Sequence, residues 1–456
     1  MRNHFNQFLL VGFVTVIFSN IPSSQGASVN ENTEPNQKLL ILMLDGFRWD
    51  YYDKQKDELV GFTKFLNEGV QAEWVEPVFP SLSYACWTTI GTGVYPETHG
   101  ILGNYMYDRE FNETFSIEDL NSTQLERWWQ NSEPIWITAT KHNKKAFLRE
   151  WSRCDVAFNQ TRPETCTGYV GADGVEGVRD TLQAGLESLK GDYDLVMVYG
   201  EHIDNIGHQF GPYAPELKEA IVGVDAVLAE FLQGLEEAGL SETVNIIIVG
   251  DHGMKFLGEG SGLPSAAKFL NLSDYINPND VLKIVDRGPH LTIATYENTL
   301  DKVYQSLKGQ EGFDVYLREE IPEELHYRNS RLVQDILVVT HPDYYIRGLQ
   351  SPNQLPVDNP DGIHSGGAHG YINSMSDMRT IFFAKGPAFK KGSVHPPISL
   401  VDQYQIFAHL LNIPAQPNNG TWSKVSGMLK SQSDGSIGYA YPMLTFGVLL
   451  AFLSFV

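Results

Sequence analysis

Cysteine is scarce in this sequence, with three in 456 residues. A small disulfide-stapled fold is therefore excluded, and a chain of this length can instead bury one large apolar core. Basic residues are also in short supply: 33 Lys and Arg stand against 56 Asp and Glu, a net charge of −23. That deficit excludes a basic face for a phosphate backbone, so no nucleic-acid polymer is expected as a partner. Small phosphates stay open as ligands, because a bound metal ion reverses the local field. Internal repeats and low-complexity tracts are absent, which rules out solenoids and long disordered tails.

Apolar runs mark the two ends. Arg2 and His4 precede one from Phe8 to Phe18, and small residues follow up to SSQGA. This order predicts a signal peptide over residues 1–26. The stretch from Tyr439 to Val456 is apolar, lies behind Ser431, Ser433, Gly435 and Ser436, and has no basic residue after it. Residues 431–456 are thus expected to be a glycolipid-anchor signal, with a short transmembrane helix as the rival. The expected location is the extracellular face of the plasma membrane. Sequons at Asn112, Asn121, Asn159, Asn271 and Asn419 agree with export. Cys154 and Cys166 are close enough in sequence to bridge a short loop, leaving Cys86 over.

Between the ends, Leu39–Leu44, Leu195–Tyr199, Asn245–Val249 and Thr380–Ala384 read as buried parallel strands. Leu217, Ile221, Val224, Leu228, Phe231 and Leu235 share one helical face; Val175, Val178, Leu182, Leu186 and Leu189 share another. Alternating strands and helices predict an α/β fold with a doubly wound, mostly parallel sheet. One domain is expected over residues 38–430, with a less regular insertion or subdomain at 284–373.

Three apolar runs end in the same kind of residue. LLILMLDG ends in Asp45, DLVMVYGEHIDNIGH in Asp204 and His208, and NIIIVGDHG in Asp251 and His252. Open α/β sheets place their active sites just past the carboxyl ends of strands. One Asp there is an ordinary cap or turn residue; three such sites point to a constellation. HSGGAHGY adds His364 and His369 on a glycine-rich loop. Imidazoles with carboxylates are the ligand set of hydrolytic zinc, and two ions about 4 Å apart can clamp an in-line phosphoryl displacement. A nucleophile is offered by FPSLSYACW, in Ser81, Ser83 or Cys86. Cys86 does not fit a Cys-x5-Arg phosphatase, since Thr92 stands where Arg is required.

The motifs LDGFRWDY, FPSLSY, HGILGNYMYD, IDNIGHQFGP, GDHGM and GAHGY occur in this order between Leu44 and Tyr371. In them the chain resembles the ectonucleotide pyrophosphatase/phosphodiesterase family of the alkaline-phosphatase-like superfamily. The resemblance implies an alkaline-phosphatase-like fold and two Zn²⁺ per subunit. Asp204, His208 and His369 would hold one ion, and Asp45, Asp251 and His252 the other, with Ser83 beside it. His364 falls outside the motif. The family nucleophile precedes an aromatic residue, which selects Ser83 over Ser81 and implies a covalent phosphoserine intermediate. Asn104 matches the family Asn that holds a phosphoryl oxygen. The usual Pro-Asn after the aromatic residue is here Ala85-Cys86, and Cys86 reads as a packed side chain.

The implied substrate is a small phosphodiester or nucleotide. In nucleotide-cleaving relatives the base stacks on the residue matching Tyr84 and on a second Tyr, here Tyr169. Within the family the overall resemblance is closest to the choline-specific glycerophosphodiester phosphodiesterase member, through SEPIW, the Cys-x11-Cys pair and PNNGTWSKV. A choline cage would draw on Trp87 and Tyr199, but Ala157 and Gly168 stand where that member carries acids. Nucleotides are therefore expected, and choline phosphodiesters are the alternative. The remaining alternatives are a phosphomonoesterase and a catalytically inactive surface binding protein.

Overall fold

The computed structural model describes residues 37–151, 153–171, 174–258, 266–357 and 366–431. The expected signal peptide, His364 and all but the first residue of the expected anchor segment lie outside the described residues.

The main sheet has eight strands. In chain order they are β1 (Lys38–Leu44), β2 (Gly69–Ala72), β3 (Ala146–Arg149), β4 (Thr165–Thr167), β5 (Leu195–Gly200), β6 (Val244–Val249), β7 (Phe382–Lys385) and β8 (Ser393–His395). Their order across the sheet is β8-β2-β7-β6-β1-β5-β3-β4. β1 is central, pairing parallel with β5 from Leu39↔Leu195 and with β6 from Lys38↔Val244. Every residue from Leu39 to Leu44 is at most 1% exposed, which explains the unbroken apolar run: both faces are covered. The pleat sends Leu39, Ile41 and Met43 into one core and Leu40, Leu42 and Leu44 into the other.

Helices α1 (Ser83–Thr92), α2 (Gly174–Lys190), α3 (His202–Phe210) and α4 (Pro215–Glu237) supply the covering layers. Leu217, Ile221, Val224, Leu228, Phe231 and Leu235 of α4 are all buried against Leu40, Leu42 and Leu44 in the second core. On α2, Val178, Leu182 and Leu189 are buried, while Val175 and Leu186 pack at its edge.

One strand differs from expectation. β7 runs antiparallel to both β2 and β6, not parallel as the apolar run Thr380–Ala384 suggested. A strand covered on both faces is apolar in either direction, so composition does not encode its sense. The segment of irregular pattern also has more order than its composition suggests. Val281–Val285, His290–Thr295, Phe313–Leu317, Ile336–Thr340 and Gln354–Leu355 form a second, five-stranded sheet. Its own core includes Ile284, Leu291, Ile293, Val303, Leu307, Ile336 and Val338. Buried Asp108, on the hairpin that follows Asn104, accepts two hydrogen bonds from the Arg331 guanidinium at 2.8 and 2.6 Å, tying the two regions together.

Cys154 and Cys166 form a disulfide that fastens edge strand β4. On the chain-entropy account a loop of this size contributes about 3 kcal/mol. All five sequon asparagines are exposed.

Candidate active site

The carboxyl ends of β1, β5 and β6 converge, and the chain carries its acidic and imidazole groups there. Asp45 follows β1 directly, Asp204 and His208 lie one turn apart on α3 after β5, and Asp251 and His252 follow β6. His369 arrives on the loop after Gly367–Ala368. Close approach depends on Gly46, which has φ +67°; a Cβ there would lie 2.8 Å from Asp204 Oδ1 and 2.9 Å from Asp204 Cα.

All three histidines are oriented in the same way. His208 Nδ1 lies 3.0 Å from Gly367 O, His252 Nδ1 3.0 Å from Gly253 O, and His369 Nδ1 3.0 Å from Ser81 O. A carbonyl can only accept, so each Nδ1 carries the proton and each Nε2 directs a lone pair into the site. His208 Nε2 and His369 Nε2 face each other at 3.1 Å. Two lone pairs that close repel unless a cation or proton sits with them. The rings of His252 and His369 stack with centroids 3.5 Å apart.

Carboxylates complete two groups of possible metal ligands, Asp204 with His208 and His369, and Asp45 with Asp204 and His252. Asp204 Oδ2 is 3.2 Å from His208 Nε2, and Asp45 Oδ1 is 3.4 Å from His252 Nε2. Among the described residues, Asp45 Oδ1 and Asp204 Oδ1 are buried without a hydrogen-bond partner. Orphaned buried carboxylate oxygens beside imidazole lone pairs form a donor set that fits a metal cation.

Asp251 stands differently. Its Oδ1 accepts the amides of Gly46 at 3.1 Å and His252 at 2.9 Å, and its Oδ2 accepts Trp87 Nε1 at 2.7 Å. It also sits 3.3 Å from His252 Nε2. Burial raises the pKa of Asp45, helped by the charges of Asp251 and Asp204; burial also raises that of Asp251. For Asp204, burial pushes upward, but His208 and then His369 outweigh it and hold the carboxyl well below the ordinary range.

Ser83 is the first residue of α1 and 5% exposed. Its Oγ lies 3.3 Å from His252 Nε2. At a helix N-terminus the unpaired amides favour developing negative charge. Ser81 is fully buried, and its hydroxyl is 3.3 Å from Val78 O and 3.2 Å from Tyr371 O, bonded away from the carboxylates. Its contribution is its own carbonyl, which orients His369. Asn104 Oδ1 accepts the Tyr84 amide at 3.0 Å. Because an amide N–H can only donate, this fixes the flip of the side chain and leaves Nδ2 as its outward donor. Cys86 is a fully buried free thiol in the first core, and burial pushes its pKa up.

The aromatic residues expected to line a substrate pocket are mostly inside. Tyr84 is 1% exposed and packs on Trp87, Phe115 and Trp129. Trp87 and Tyr199 are buried, with ring centroids 4.9 Å apart, and both serve the carboxylates. Tyr199 Oη donates to Asp45 Oδ2 at 2.5 Å, as Trp87 does to Asp251. Tyr169 alone of the four is partly exposed, and its hydroxyl donates to Glu201. Sequence reading missed Gly46 and the supporting roles of Trp87 and Tyr199. LDG and the aromatic residue one turn into α1 were the only signals for them.

Comparison with known proteins agrees with this geometry. Residues 39–372 match the family model described as type I phosphodiesterase / nucleotide pyrophosphatase. The human ectonucleotide pyrophosphatase/phosphodiesterase family member 5 is 31% identical over 95% of this chain and 85% of its own length. A bis(5'-adenosyl)-triphosphatase of Xenopus laevis is 30% identical over 92% of this chain and 87% of its own. Among solved structures, an inactive form of murine ectonucleotide pyrophosphatase/phosphodiesterase 5 in complex with AMP superposes with a TM-score of 0.78. It is 31% identical, over 86% of this chain and all of that one. The chain therefore belongs to the type I phosphodiesterase / nucleotide pyrophosphatase family and is a phosphodiesterase-class hydrolase.

Proposed function

We propose that this protein hydrolyses phosphodiester or phosphoanhydride bonds of extracellular nucleotides through a phosphoserine at Ser83. The observation that carries the reading is the approach of Ser83 Oγ to within 3.3 Å of His252 Nε2, at the start of a helix and beside the buried carboxylates. Asp204, His208 and His369 would hold one zinc ion, and Asp45, Asp251 and His252 the other, with Ser83 alongside. When bound, the ions supply positive charge that lowers the hydroxyl pKa and offsets charge on the phosphoryl oxygens.

The residues of the chain then divide the work. Ser83 Oγ forms the bond to phosphorus as the bond to the leaving-group oxygen breaks; water later releases the phosphoryl group and restores the hydroxyl. Asn104 Nδ2 and the backbone amide of Ser83 hold a phosphoryl oxygen, a role worth about 10²–10³ in rate per donor. Nucleotide preference is supported by the two relatives named for nucleotide or dinucleotide cleavage and by the AMP-bound structure.

A disulfide and five exposed sequons support export, since disulfides persist in oxidising compartments. We place the protein on the outer membrane face by a glycolipid anchor at its C-terminal tail. Among the described residues no helix is long and apolar enough to cross a membrane.

One product assay tests the reading. Wild type, Ser83→Ala and Ser81→Ala should be offered ADP, a dinucleoside polyphosphate and glycerophosphocholine. Ser83→Ala should lose roughly 10⁴-fold or more and Ser81→Ala should keep most turnover. Equal loss in both sinks the assignment of Ser83, and cleavage of glycerophosphocholine alone replaces nucleotides with choline phosphodiesters. Treating intact cells with a phosphatidylinositol-specific phospholipase C should free the activity; activity that stays bound refutes the anchor.

A further inference from the structure

The inserted sheet reaches the back of the site through one tight connection, between its strands Val281–Val285 and His290–Thr295. There Asp286 takes φ +70° and Gly288 φ +87°. A non-glycine residue in the left-handed region is held there by its surroundings. Asp286 and His290 are 8% and 4% exposed. Neither falls in the six motifs, and neither belongs to the ligand groups.

His290 Nδ1 lies 3.2 Å from the carbonyl oxygen of Gly370. That carbonyl accepts, so Nδ1 is protonated and Nε2 carries the lone pair. Nε2 faces Asp286 Oδ2 at 4.0 Å, too far for a hydrogen bond and near enough to couple their charges. Asp286 Oδ1 accepts the Arg287 amide at 2.8 Å. The other titratable groups that feel this carboxyl are Arg287 on its own turn, Tyr105 on the hairpin after Asn104, and Tyr327.

What lies in front of the pair gives it a role. Gly370 follows His369 and has φ +98°; a Cβ there would meet Leu82 Cδ2 at 2.9 Å. Leu82 precedes Ser83. A Cβ on Gly103, which precedes Asn104, would meet Leu82 Cδ1 at 3.1 Å and Asp286 Oδ2 at 3.9 Å. The His290 ring also meets Phe79 edge-on, with centroids 5.6 Å apart. The loops that carry Ser83, Asn104 and His369 are thus in contact around Leu82, with Asp286 and His290 behind them.

We propose that Asp286 and His290 are a positioning pair for the phosphoryl site. His290 holds the Gly370 carbonyl, and through it His369 and the Leu82–Ser83 turn; Asp286 faces the opposite nitrogen of the same ring. Burial raises the Asp286 carboxyl to about 7 and lowers the His290 imidazole to about 4. Within that window the folded chain keeps a proton on Asp286 that the unfolded chain has lost. The Asp286 contribution to stability therefore falls as pH rises from the ordinary carboxyl range to about 7 and is level above it, while the His290 contribution rises between about 4 and the ordinary imidazole range.

The kinetic arm of the test rests on the proposed function; the thermal arm does not. Thermal unfolding of the full chain is followed from about pH 5 to about pH 9. The wild type should lose Tm relative to D286N as pH rises toward about 7, with a constant difference beyond. On a nucleotide substrate, H290Q, with no donor at the Nδ1 position, should lower kcat about tenfold while KM stays within about twofold. H290N, whose amide occupies the Nδ1 position, should restore most of that loss. A pH-independent gap between wild type and D286N overturns the proton dependence. Wild-type kcat in H290Q, or equal impairment in H290Q and H290N, overturns the hold on Gly370. A wild type without turnover sinks the phosphoryl-transfer reading, and the thermal arm then decides the pair alone.

Discussion

Asp251 and Asp204 both lie just past strands of the same sheet, yet their carboxylates are used differently. Asp251 is fully buried and accepts from two backbone amides and the Trp87 indole. Asp204 keeps one buried oxygen without a hydrogen-bond partner among the described residues, and its neighbour His208 has a side chain 41% exposed. One half of the site is braced by the protein before any ion arrives. The other half opens to solvent at His208. Bracing fixes geometry around Ser83; openness gives substrate and cation a way in.

The largest break in this contrast is His252→Ala set against His208→Ala. Loss of the imidazole facing Ser83 should cost about 10³-fold or more in turnover, and added zinc should not repair it. Loss from the open half should be nearer 10²-fold and partly recovered at high zinc. Turnover and bound metal, measured across a zinc titration, check both; equal rescue would erase the distinction. A smaller effect is expected from Trp87→Phe, which keeps the ring and removes one donor to Asp251. Zinc affinity or activity should fall about 10- to 100-fold, read by competition with a chelator. Unchanged affinity would mean that the braced half does not need its indole. Smallest is Cys86→Ala. The thiol only fills space in the first core, so unfolding in denaturant should register about 1 kcal/mol and turnover should stay at the wild-type level.

The contrast also marks what could be read in the sequence. The apolar runs ending in Asp45, Asp204 and Asp251 were legible because burial on both faces leaves no polar residue until the strand ends. The face of α4 was legible through its period. The direction of β7 was not, since an apolar strand looks the same either way. The second sheet was obscured because its strands are short and interrupted by turns and by polar positions open to solvent, half-exposed at Lys283 and exposed at Asp314. Within the site, residue types and strand ends singled out the acids and imidazoles. The donors that brace them could not be singled out, because Trp87 meets Asp251, and Tyr199 meets Asp45, only across the folded sheet. Gly46 was quoted within a motif, but its need for a bare Cα comes from the approach of Asp204.

Each of the three histidines is tethered by its Nδ1 to a different carbonyl, at Gly367, Gly253 and Ser81. A cation gripped by the opposite nitrogens would therefore knot together segments that are distant along the chain, acting as a reversible cross-link. Ligands that bind only the folded chain stabilise it by about 2.7 kcal/mol at a hundredfold excess over Kd. The supply of free metal would then govern the protein's working lifetime as well as its catalytic rate.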